Sequence, residues 1–146
     1  MESAAGKSNS LRLLGKRTLA QGAVILDLGA ESLPVLLEAL TDRGRDWKVR
    51  YWAADMLGYV GDGQTAYVLM EVARDGKENG PVRVRAVESV AEIASRGGME
   101  PERAREGLMR VARAANRELA DKVSAAVKRL ERLKPASSRA KPGPSR

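Results

Sequence analysis

Val49-Arg50-Tyr51-Trp52-Ala53-Ala54-Asp55-Met56-Leu57-Gly58-Tyr59-Val60 returns 33 residues later as Val82-Arg83-Val84-Arg85-Ala86-Val87-Glu88-Ser89-Val90-Ala91-Glu92-Ile93. Val-Arg opens both copies and Ala stands fifth in each. In the first copy the apolar positions are 49, 52, 53, 56, 57 and 60; in the second they are 82, 86, 87, 90 and 93. Steps of three and four residues put such positions on one side of a helix, not on alternate faces of a strand. Ala at the fifth position leaves room for a neighbouring helix to come close. A unit recurring at this period is the signature of stacked helical hairpins.

The segments after these copies align as well. Leu36-Leu37-Glu38-Ala39-Leu40 corresponds to Leu69-Met70-Glu71-Val72-Ala73, and then to Leu108-Met109-Arg110-Val111-Ala112. Each unit is therefore two helices joined by tight turns. Gly61-Asp62 marks one turn: Gly can take the left-handed conformation that ends a helix, and Asp can accept from the free N–H groups of the next. Gly29 is expected to end an earlier helix, with Ser32 capping the next and Pro34 in its first turn. Asp46 caps the helix from Trp47, Gly80-Pro81 opens another, Gly97-Gly98 ends it, and Pro101 opens the one after. The expected helices run 11–28, 33–42, 47–60, 64–75, 81–96, 101–115 and 118–133. The reading is all-α, an α-α superhelix of three to four hairpin units over 11–133. Residues 1–10 are small and polar, and 134–146 form a basic Pro/Ser-rich tail; neither can bury a core, and both are expected to be disordered.

Composition narrows the function classes. The 146 residues include no Cys and no His. Thiolate chemistry, disulfides and the commonest general base and metal ligand are excluded. No cofactor or metal site is expected. No apolar run reaches the roughly 18 residues of a membrane span. The first residues lack a basic start followed by an apolar stretch, so no secretory signal is read and the expected location is cytoplasmic. Net charge is +7, unevenly placed: from position 101 there are 13 basic and 5 acidic residues, whereas the first hundred hold 13 and 14. A near-neutral body thus ends in a basic third, which can face an acidic partner.

Val49-Arg50, Ala53-Ala54, Leu57-Gly58 and Gly61-Asp62 together resemble the HEAT-repeat family, in particular its short bacterial, PBS-lyase-type form. The second copy keeps Val82-Arg83 and Ala86 but has Ala91 in place of Gly58 and a longer turn, Ser95 to Glu100. Weaker copies end near Leu28-Gly29 and lie at Leu119 to Leu130. The resemblance implies an α-solenoid that binds other proteins. A minority of such proteins bind nucleic acid or excise bases, and some bacterial ones act on bilin chromophores; no residue motif for those activities maps here.

In a HEAT-like unit the second helices line the concave face. Aligning them gives outward rows: Pro34, Tyr67, Glu106; Leu37, Met70, Met109; Glu38, Glu71, Arg110; and Thr41, Arg74, Arg113. Tyr67, Met70, Glu71, Arg74, Met109, Arg110 and Arg113 are the candidate partner-binding residues of a non-enzymatic scaffold or adaptor. The competing reading has Leu37, Met70 and Met109 packed between units. Trp52 shares a stripe with Val49 and Met56 and reads as core; Trp47, beside its cap, can anchor a partner. The alternative function is a nucleic-acid-associated module using the basic C-terminal helices and tail, with Arg103, Arg117, Lys128 and Arg132 as anion contacts. Interleaved Glu102, Glu106, Glu118 and Glu131 can pair with those cations instead, and no aromatics stand among them to stack bases. Gly6-Lys7-Ser8 has no preceding Gly-rich loop to make it a phosphate site. Exposed end units are compatible with a homo-oligomer or with a place in a larger assembly.

Overall fold

The computed structural model describes residues 29–133. The expected helix over 11–28 and the segments 1–10 and 134–146 lie outside them. A short 3-10 turn, Gly29–Ser32, leads into six helices: α1 Leu33–Thr41, α2 Trp47–Val60, α3 Gly63–Arg74, α4 Gly80–Ser95, α5 Pro101–Arg113 and α6 Arg117–Glu131. Each boundary falls within two residues of the periodicity reading. Among the described residues there is no strand.

The first helices of the units, α2, α4 and α6, stack one on the next, α4 in the middle. The second helices flank them: α1 lies against α2, α3 against α4 and α5 against α6, with α3 touching α5. The main partner of each second helix is thus the first helix of the following unit.

Side-chain caps set the starts. Asp46 accepts from the Lys48 amide (2.9 Å), Asp62 from Thr65 (3.0 Å), Asn79 from Val82 (3.4 Å) and Asn116 from Leu119 (2.9 Å). The Asp62 carboxyl is held below its ordinary range, first by the Thr65 amide and then by the Thr65 hydroxyl. Two expected turn features differ. Ser32 makes no side-chain cap, because it sits in helical conformation inside the 3-10 turn. Gly61 is extended (φ −77°, ψ 163°) and not left-handed; it is glycine for lack of space, since a Cβ there would lie 2.7 Å from Thr65 Cγ2. Among the described residues the left-handed glycine is Gly97, at φ 87°.

The core runs unbroken along the stack. Leu36, Leu40, Leu57, Leu69, Ile93 and Leu108 are fully buried, each contributing about 2 kcal/mol. Trp52 is core, as its stripe requires, while Trp47 is 37% exposed. Close approach of α2 and α4 is written into Gly58: a Cβ there would come within 2.7 Å of Ser89 Oγ, which itself donates to the Ala54 carbonyl at 2.6 Å. Leu119, Val123, Ala126, Val127 and Leu130 turn α6 inward, and its other side, Asp121, Lys122, Ser124, Ala125 and Lys128, is exposed and largely polar.

Candidate functional site: the face of the second helices

Three of the four predicted rows are exposed on all three of the second helices. Pro34, Tyr67 and Glu106 are exposed, as are Glu38, Glu71 and Arg110, and Thr41, Arg74 and Arg113. The fourth row splits. Met109 is 42% exposed, Leu37 is half-buried, and Met70 is only 5% exposed. Met70 therefore cannot be a surface contact as the row placed it. Its thioether fills the space over Gly107, where any Cβ would overlap it, so Met70 seats α3 against α5. Of the candidate anion contacts, Arg103, Arg117, Lys128 and Arg132 are all exposed. Arg103 reaches the Tyr67 hydroxyl at 3.5 Å; the others lie on α6 or just past its end.

Two hollows shape this face. One, of about 470 Å³, opens between α1 and α3, with Leu40, Val68 and Val72 for its apolar part and Arg43, Glu71, Arg74 and Asp75 at its rim. Its charges are matched internally. Arg74 pairs with Glu71 at 3.3 Å, and Arg43 with Asp75 and, at 3.9 Å, with Glu78. The Asp75 carboxyl is lowered, first by the Lys77 amide and also by Arg43. The second hollow, about 310 Å³, is shallow and lies on α5 among Arg105, Glu106, Met109, Arg110 and Arg113.

Beneath the face, the arginine of each Val-Arg pair is buried. Arg50 is held by Glu78 through two bonds, Nε to Oε2 at 2.9 Å and Nη2 to Oε1 at 2.7 Å, and it also donates to the Arg45 carbonyl. Burial alone would raise the Glu78 carboxyl; the Arg50 guanidinium, the Asn79 amide and Arg43 outweigh it, and the carboxyl is lowered. Arg83, one repeat on, donates Nε to the Ala73 carbonyl at 2.8 Å. Its Nη2 is buried with no acceptor among the described residues. The register explains this. Glu78 precedes the cap Asn79 of α4, and the residue before the cap Asn116 of α6 is Ala115, which has no carboxylate to offer.

The opposite face holds a constellation that the sequence reading missed. Tyr51 and Asp55 of α2 meet Arg85 and Glu88 of α4. Arg85 lies 5.4 Å over the Tyr51 ring, donates to its hydroxyl at 3.0 Å, and pairs with Asp55 at 3.5 Å and Glu88 at 3.2 Å. Burial pushes the Asp55 carboxyl up against the pull of Arg85. Trp47 meets Tyr51 edge to face at 6.4 Å. The signal was present, since 47, 51, 55 and 59 are spaced by four along one side of α2. It was hidden by the stronger inward stripe of the same helix.

Among the described residues, six helices in stacked pairs, with a continuous core and outward rows on the second helices, define an α-helical repeat fold. The profile for HEAT repeats matches residues 33–128, and the chain belongs to the HEAT-repeat family. Neither the curated proteins nor the solved structures gave a match to this chain. Members of this family are commonly protein-interaction scaffolds and typically lack enzymatic activity. Among the described residues no helix is long and apolar enough to cross a membrane.

Proposed function

We propose that this chain is a non-enzymatic scaffold that binds another protein through the face formed by α1, α3 and α5, the side expected to be concave. The observation that carries the reading is the pair Tyr67 and Met109, 44% and 42% exposed on this face, with Met109 lining the 310 Å³ hollow on α5. Because the helix fixes their backbone, binding orders only the side-chain rotamers, and Tyr is enriched among residues that dominate interfaces. The absence of His and Cys supports the non-enzymatic part of the reading.

The nucleic-acid alternative draws on exposed Arg117, Lys128 and Arg132, none of which has a carboxylate partner among the described residues. Glu118, Asp121 and Glu131 are exposed on the same helix, and it presents no aromatic for stacking bases. The scaffold reading is therefore preferred.

The test is a photo-crosslinking residue placed at Tyr67, with Ser124 on the outer side of α6 as control. A protein partner captured from position 67 and not from 124 is the expected result. The double variant Tyr67→Ala, Met109→Ala should weaken that partner by about 30-fold, roughly the 2 kcal/mol of an aromatic anchor, while the circular dichroism melt stays in place. Equal capture at both positions, or unaltered binding by the double variant, would sink the assignment.

A further inference from the structure

We infer that the partner segment seated on this face is acidic with an apolar anchor, and that its acidic part docks on α5, where Arg103, Arg110 and Arg113 lie near Met109. The inference rests on the reading of the face as a protein-binding surface and names the chemistry of what it takes.

The argument starts from how charge is settled along the face. At the α1–α3 hollow each guanidinium already has its carboxylate: Arg43 has Asp75 and Glu78, and Arg74 has Glu71. On α5 only Arg105 is so matched, by Glu102 at 3.2 Å. Among the described residues Arg110 and Arg113 have no ion-pair partner, and Arg103 has only the Tyr67 hydroxyl at 3.5 Å. An unengaged guanidinium keeps its planar fork free for an incoming carboxylate, the pairing its geometry fits best. Positions 103, 110 and 113 run along one side of the helix, the outer two about 15 Å apart at the rise of an α-helix. That is the reach of a short peptide carrying several Asp or Glu.

The hollow beside them is not a phosphate cradle. Met109 lies in its lining, and Glu106 stands beside it. A thioether offers an adaptable seat for an apolar side chain, which a peptide brings and a sugar–phosphate backbone does not. Apolar contact flanked by guanidinium groups matches a protein segment in which Leu or a similar residue sits between carboxylates. Arg110 and Arg113 also offset the negative end of the α5 dipole; that role leaves their outer N–H groups available.

The experiment is fluorescence anisotropy on the full chain at physiological salt. Three labelled probes of matched length are compared: a Glu/Leu peptide, the same peptide with Gln for Glu, and oligouridylate. The Glu/Leu peptide should bind, and its Gln counterpart should bind at least about fivefold more weakly, the worth of a few exposed charge contacts. Arg110→Glu with Arg113→Glu should cost about tenfold or more, and Met109→Ser a few-fold. Lys122→Glu with Lys128→Glu makes the same change of net charge on α6 and should leave binding within about twofold. No binding of the Glu/Leu peptide, equal binding of the Gln peptide, indifference to the α5 reversal, or tighter binding of oligouridylate each overturns the inference. A partner captured at Tyr67 while the acidic peptide fails would retain the scaffold and discard its acidic ligand. Failure of both would discard the face.

Discussion

Between α2 and α4 the buried guanidinium of Arg50 is held by both oxygens of Glu78 and by a backbone carbonyl. Between α4 and α6 the same residue in the same register, Arg83, has one carbonyl and a buried Nη2 with no acceptor among the described residues. Both side chains are nine-tenths buried, at 7% and 8% exposure, so solvent does not rescue the second. One residue decides the difference, Glu78 against Ala115 before the cap of the following helix. The two copies thus share the arginine but not its carboxylate, and the two joints differ in polarity although their helices stack alike.

The sharpest way to break the comparison is to make one substitution twice. Arg50→Met leaves the buried Glu78 carboxylate with only the Asn79 amide and Arg43 at 3.9 Å, and should cost about 3 kcal/mol. Arg83→Met abandons no carboxylate; it removes an unsatisfied donor but also strips the Ala73 carbonyl of its bond, so the two effects offset and the change should stay within about 1 kcal/mol of neutral. Urea unfolding midpoints at neutral pH measure both. Equal destabilisation by the two would mean that packing of the aliphatic stems, and not the ion pair, governs these positions.

Acid sharpens the same contrast. The Glu78 carboxyl is lowered in the folded chain, so its contribution is fully present above the unfolded value of about 4.3. It is lost as pH falls through the folded value, because the unfolded chain then binds the extra proton. The gap between the parent chain and Arg50→Met should therefore narrow below about pH 4, while the gap to Arg83→Met should not. A gap for Arg50→Met that stays constant down to the acid transition would argue against the pair. The smallest expected effect is a repair. Ala115→Glu offers Arg83 the missing carboxylate and should gain about 1 kcal/mol after the cost of ordering the new side chain. In that background Arg83→Met should turn from neutral to destabilising.

Helix positions, stacking and core were legible in the sequence because each rests on a local signal. The apolar spacing in 49–60 and 82–93 gave the helices, and Asp46, Asp62 and Pro101 gave their starts. Exposure along the outward rows was nearly as legible, since alignment at a fixed period transfers one helix's surface to the next. Met70 escaped because the row was right and the depth was not: Gly107 on the neighbouring helix lets that side chain sink, and no property of α3 alone reveals it. The Arg50–Glu78 pair escaped for a related reason. A charged residue within an apolar stripe reads as solvated until a second one, 28 positions away, is known to meet it. Tyr51, Asp55 and Arg85 meet only because α2 and α4 stack.

The outward side of α6 also limits how this array can lengthen. Lys122, Asp121 and Lys128 give a further hairpin no apolar stripe to rest on. Duplication of a unit would be tolerated ahead of α6, where Leu119, Val123 and Val127 could re-seat on the newcomer, and not behind it. A designer extending the face of the second helices should splice the added hairpin at the Ala114–Asn116 turn, ahead of the polar outer side of α6.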